Sequence, residues 1–219
     1  MHSKNTDLSI KNFIVLEGLD GAGTTTQTGR IASLFAQAYI PHEITAEPTQ
    51  SPAGNLARKI LRGEIEAEPE TLAYVFAADR NQHLYGRGGI LEQCRAGKVV
   101  VCDRYVLSSL AYQGMACNSD LPARLNADFP PPQLTIFFRI RPELAMERVS
   151  ARNHLEIFEK LTFQQKIAKK YDEALENAAK AGWKIVEIDA ERDIKSVTDQ
   201  IAAVLTQAGL PLEPPEPKE

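Results

Sequence analysis

The run Phe13-Ile-Val-Leu-Glu17, followed at once by Gly18-Leu-Asp20-Gly21-Ala22-Gly23-Thr24-Thr25-Thr26-Gln27, constrains this chain more than any other segment. The apolar run reads as a buried strand, the glycines as a tight turn, and the stretch from about Thr25 to Ala38 as a helix. In a strand, glycine-rich loop and helix layout, backbone N–H groups and the helix N-terminus can wrap an anionic phosphate, which side chains at the glycines would obstruct. Gly18 and Gly23 stand at the two ends of the phosphate-loop pattern, Gly21 adds freedom between them, and Thr25 offers a hydroxyl to Mg²⁺. The pattern calls for lysine at position 24 and the chain has Thr24. The loop alone therefore leaves two readings open: a phosphate-binding loop, or a glycine-rich turn that binds no nucleotide.

Further along, His42 to Ala46 reads as a weak strand that breaks at Pro48, and helical patterns cover Ala53 to Leu61 and about Glu70 to Glu92. Lys98 to Cys102, Leu134 to Ile140 and Lys184 to Ile188 are further apolar runs. Such runs, separated by helices, predict a parallel sheet covered on both faces, with ligands beyond the carboxyl ends of the strands. The expected architecture is a three-layer α/β P-loop NTPase fold with a five-stranded parallel sheet. One domain is expected over 12–209, with a flexible N-terminus at 1–11 and a disordered Pro-rich tail at 210–219.

Composition excludes several classes. With 43% hydrophobic residues the chain can bury a core, and a net charge of -4 argues against a general nucleic-acid binder. The polar start and the absence of a long apolar run predict neither a signal peptide nor a membrane span, so a cytoplasmic protein is expected. Cys94, Cys102 and Cys117 show no CxxC spacing, and His2, His42, His83 and His154 show no metal-ligand spacing. Buried thiols and incidental histidines are expected, and no zinc site.

The strand ending Val-Val-Val-Cys102 runs into Asp103-Arg104-Tyr105. Aspartate at the end of an apolar strand is the expected partner of a phosphate loop, because its carboxylate can hold Mg²⁺ or its water. Arg104 can meet a phosphate as a bidentate donor. Ser108-Ser109-Leu110-Ala111-Tyr112-Gln113-Gly114 follows. At these residues the chain resembles the thymidylate kinase family. DRY..SS.AYQG looks like its signature, GLDGAG.TTQ resembles its phosphate loop, and Phe76 with Asp79 and Arg80 matches its F..DR helix. Glu47-Pro48 resembles its REP segment, with Ala46 where arginine is usual. The resemblance runs from about Phe13 to Asp189.

The resemblance implies transfer of phosphate from ATP to dTMP, giving ADP and dTDP, with Mg²⁺ held by Thr25, Asp20 and Asp103. The loop Gly18 to Thr26, including Ala22, Gly23 and Thr24, would hold ATP. Phe76 would stack on thymine and Arg80 would hydrogen-bond it; their i, i+4 spacing puts both on one helix face. Arg104 would contact the acceptor phosphate. Ser109 and Gln113 would line the base pocket, Tyr112 would lie against the sugar, and Glu47 and Pro48 would belong to the same substrate wall. A helix starting at Pro142 and carrying Arg148 and Arg152 would close over the phosphoryl group as part of a lid at about 148–163. A homodimer is implied too. Against the family pattern stand Thr24, Gln133 and Arg139, the last two where aspartate is often found. Arg148, Arg152, Lys166 or Lys169 could replace the lost lysine charge. The alternatives are a nucleotide-binding protein without transfer activity, or a related pyrimidine nucleotide or deoxynucleoside kinase. Arg104 argues for a phosphorylated acceptor.

Overall fold

The computed structural model describes residues 8–117, 119–150, 157–210 and 212. Five strands form a single parallel sheet: β1 (Ile10–Gly18), β2 (His42–Ala46), β3 (Val99–Asp103), β4 (Pro132–Arg139) and β5 (Ile185–Asp189), in the spatial order β2-β3-β1-β4-β5. Every adjacent pair is parallel. The helices between them are α1 (Thr24–Gln37), α2 (Pro52–Leu61), α3 (Pro69–Tyr85), α4 (Ile90–Arg95), α5 (Val106–Ala116), α6 (Leu121–Asn126), α7 (Pro142–Ser150), α8 (Ile157–Lys180) and α9 (Ile194–Gln207).

Strand side chains alternate between faces, and the central strand feeds two cores. Ile14 and Leu16 pack in one cluster with Ile31 and Phe35 of α1 and Ile201 and Leu205 of α9. Phe13 and Val15 pack in another with Leu84 of α3 and Ile90 of α4. Both faces of β1 are therefore dry, which is why the run reads as continuously apolar rather than alternating.

The register gathers strand ends. Leu16 is level with Asp103, Ala46 with Asp103, Gly18 with Phe138, and Arg139 with Asp189. All the carboxyl ends thus meet along one rim.

Two expectations need correction. β1 begins at Ile10, inside the stretch 1–11 expected to be flexible. The helix expected from Glu70 to Glu92 is two helices, because the chain turns between Tyr85 and Ile90; Gly88 takes φ 73 there, a conformation glycine adopts without strain. Lys166 and Lys169 lie exposed on α8. Arg152, much of the expected lid and nearly all of the expected tail lie outside the described residues. Among the described residues no helix is long and apolar enough to cross a membrane.

Candidate active site

The loop after β1 closes on itself through Ala22 N–H donating to the Leu19 carbonyl at 3.0 Å, and α1 then starts with Gly23 (φ 95) as its cap. Gly21 has φ 90, and a Cβ built on it would lie 2.2 Å from the Ala145 carbonyl oxygen of α7. Glycine is required there by conformation and by space together. Ala22 and Thr24 are buried, whereas Thr25 and Thr26 are exposed at the helix start. A cavity of about 700 Å³ opens over this loop. Arg104, Arg148 and Arg192 line it together with the loop from Leu19 to Gln27. Lys166 and Lys169 do not line it. A larger cavity of about 820 Å³ lies between α5, α6 and α8 and contains none of the loop residues.

Thr25 Oγ1 donates to Asp103 Oδ2 at 2.7 Å. The other carboxylate oxygen, Oδ1, is buried and accepts no hydrogen bond. A buried carboxylate oxygen without a donor is costly unless a cation meets it. Hydroxyl, carboxylate and phosphate oxygens are also the donor set a hard cation takes. The pair therefore fits Mg²⁺.

Arg104 has φ 73, unusual for a side chain of this size. Its N–H donates to the Leu16 carbonyl at 2.9 Å, and its Nη1 donates to Gly18 O at 3.1 Å, Tyr171 Oη at 3.2 Å and Ser108 Oγ at 3.3 Å. Nη2 meets Asp20 Oδ1 at 2.6 Å, and the guanidinium carbon lies 5.2 Å from the centroid of the Tyr112 ring. Tyr112 Oη accepts from the Asp20 N–H at 3.3 Å. Burial pushes the Tyr112 phenol up to about 12, so it stays protonated at neutral pH.

Beneath Arg104 sits Glu17, wholly buried, which the sequence reading treated only as a strand residue. It accepts from Tyr105 N–H at 2.9 Å, Ser108 N–H at 3.2 Å, Ser108 Oγ at 2.6 Å and Tyr171 Oη at 3.2 Å. Burial pushes its carboxyl above the ordinary value; the Ser108 hydrogen bonds and the Arg104 charge pull the other way.

On the acceptor side, Phe76 is half-buried and Arg80 is only 1% exposed. Arg80 Nε donates to Glu47 Oε2 at 2.8 Å, Nη2 to Tyr105 O at 2.9 Å and to Ser109 Oγ at 3.0 Å, and Nη1 to Asn126 Oδ1. Arg80 thus clamps α3 to β2, α5 and α6, a structural task beyond the base contact expected of it. Ser109 and Gln113 are buried beside Tyr112, and Glu47 precedes Pro48 through a cis peptide. Arg148 Nη1 and Nη2 donate to the Ala190 and Glu191 carbonyls at 2.8 and 3.2 Å, which fixes it over the loop cavity.

The sequence profile described as Thymidylate kinase matches residues 16–201. This chain belongs to the thymidylate kinase family. A protein of Treponema pallidum named "Putative thymidylate kinase" is 39% identical over 195 residues, 88% of this chain and 93% of the relative. An Aeropyrum pernix protein of the same name is 33% identical over 203 residues, covering 90% and 96%. A "Probable thymidylate kinase" of Pyrobaculum calidifontis is 36% identical over 198 residues, also covering 90% and 96%. The five-stranded parallel sheet is the one expected for the thymidylate kinase family. Sequence reasoning missed Glu17, Tyr171, Asn126 and Arg192. Glycine loops and Asp-Arg dipeptides announce themselves locally, whereas these four act only through partners distant in the chain.

Proposed function

We propose that the chain phosphorylates dTMP to dTDP with ATP, as the family's name implies, and that it works in the cytoplasm as a homodimer. The observation that carries this reading is Arg104, a cation fixed in a left-handed conformation beside the phosphate loop, where a phosphorylated acceptor needs neutralising. In this reading the loop Gly18 to Thr26 holds the ATP phosphates with its backbone N–H groups. Arg104, steadied by Asp20, orients the dTMP phosphate, and Phe76, Ser109, Tyr112 and Gln113 form the nucleoside wall with Glu47 and Pro48. Arg80 holds that wall in place. Thr25 and Asp103, with Asp20 nearby, would hold Mg²⁺, which when bound screens the phosphate charge. The chemistry left to the protein is alignment in line and stabilisation of charge on the equatorial oxygens. Arg148 would take over from the absent lysine; it lines the loop cavity, as Arg192 does.

ADP formation by the purified protein with Mg·ATP and dTMP, dUMP, UMP, CMP or thymidine tests the proposal. Turnover fastest with dTMP is the expected result. Silence with every acceptor, reversed by Thr24→Lys, would mean that the native chain binds nucleotides without transferring phosphate.

A further inference from the structure

Glu47, just after β2, His83 on α3 and Cys102 on β3 are far apart in the chain. In the fold their ligand atoms all lie within 4.8 Å of one another. Glu47 Oε1 and His83 Nδ1 are 3.0 Å apart, and His83 Nε2 is 2.7 Å from Thr45 Oγ1. Cys102 Sγ is 3.0 Å from the Arg104 carbonyl oxygen. Burial first, and then the carboxylates of Glu47, Asp103 and Glu17, push the Cys102 thiol well above its ordinary value, with Arg80 pulling the other way.

We propose that Glu47, His83 and Cys102 form a second cation site, for a borderline-soft divalent ion such as Zn²⁺, separate from the Thr25–Asp103 pair. Thiolate, imidazole and carboxylate are the donors such an ion selects, whereas Mg²⁺ prefers oxygen alone. Binding releases the Cys102 thiol proton to solvent, and the thiolate, with a Glu47 carboxylate shared with Arg80, offsets part of the dication's charge. The imidazole takes the tautomer with its proton on Nε2, donating to Thr45 Oγ1, and offers the Nδ1 lone pair to the metal. Glu47 uses Oε1 for the ion and keeps Oε2 on Arg80 Nε. His83 reaches the surface with 11% of its side chain exposed and provides the entry side. Deprotonation gives up the contact from Sγ to the Arg104 carbonyl. The site stands whether or not the chain turns over dTMP.

The test uses Co²⁺ as a spectroscopic stand-in, added to the full chain without Mg²⁺ or nucleotide. A near-ultraviolet thiolate-to-cobalt charge-transfer band is expected, saturating at one ion per chain and displaced by Zn²⁺. Cys102→Ala should abolish it, His83→Gln should weaken Co²⁺ binding at least about tenfold, and Cys94→Ser should leave it unchanged. The proposal is overturned if no band forms, if the band survives Cys102→Ala, if it vanishes with Cys94→Ser instead, or if His83→Gln binds as tightly as the parent. Should Cys102→Ala fail to fold, the His83→Gln and Cys94→Ser arms decide alone.

Discussion

Thr25 and Asp103 are 78 residues apart in the chain and are joined by a 2.7 Å hydrogen bond that leaves Asp103 Oδ1 buried and bare. The start of α1 is thereby locked to the end of β3, and the free oxygen is the cost of a site kept ready for a cation.

Asp103→Asn separates the two roles of that carboxylate. It removes a buried anionic oxygen without a donor, so the melting temperature of the nucleotide-free protein should not fall. Turnover with Mg·ATP should drop by about a hundredfold or more. Calorimetry and steady-state kinetics on one preparation check this; a parallel loss of both would make Asp103 a structural residue only.

The missing lysine predicts a non-additive pair. Arg148→Ala should lower kcat by about ten- to a hundredfold with little change in KM for dTMP, because Arg148 faces the loop cavity rather than the nucleoside wall. Adding Thr24→Lys to Arg148→Ala should recover part of that loss, while Thr24→Lys alone should gain less. A double-mutant cycle in kcat measures the difference.

Tyr171 offers a way to move Arg104 without touching it. Tyr171→Phe removes the hydroxyl that meets Arg104 Nη1, Ser108 Oγ and Glu17 Oε2. We expect KM for dTMP to rise about tenfold and KM for ATP to stay within about twofold, with about 1 kcal/mol lost in stability. Equal effects on both substrates would show that the network does not single out the acceptor side.

Glu17 sets a pH dependence of stability. Its carboxyl lies above the ordinary value of 4.5 in the folded chain, because burial outweighs the hydrogen bonds it accepts. The folded state therefore holds this proton more tightly than the unfolded state. The stabilisation is complete below the unfolded value and is lost as pH rises through the folded one. Glu17→Gln does not titrate, so its stability relative to the parent should climb as pH is raised from about 4 toward neutrality. Urea melts of both proteins across that range check the sign.

The middle of the sheet was legible because β1, β3 and β4 are mostly buried on both faces and so read as unbroken apolar runs; Val99 to Asp103 is an example. The loop was legible because Gly21 and Gly23 adopt backbone angles that other residues avoid. Glu17 was not, because its meaning lies in Ser108 and Tyr171, 91 and 154 residues further on. The turn after Tyr85 was overlooked although Gly86, Gly88 and Gly89 mark it in the sequence. Arg148 was found through its helix, but its grip on the Ala190 and Glu191 carbonyls depends on where β5 ends.

Arg80 bears on any attempt to redesign which nucleobase is accepted. Its guanidinium ties together Glu47, Tyr105, Ser109 and Asn126, so replacing it disturbs four segments before any ligand is involved. Even lysine, a point charge without the planar fork, could not index those segments in the same way. Phe76, half-buried on the same helix, carries no such burden. Selection for altered base preference should therefore accumulate changes around Phe76 and leave Arg80 as the fixed datum from which the rest of the pocket is measured.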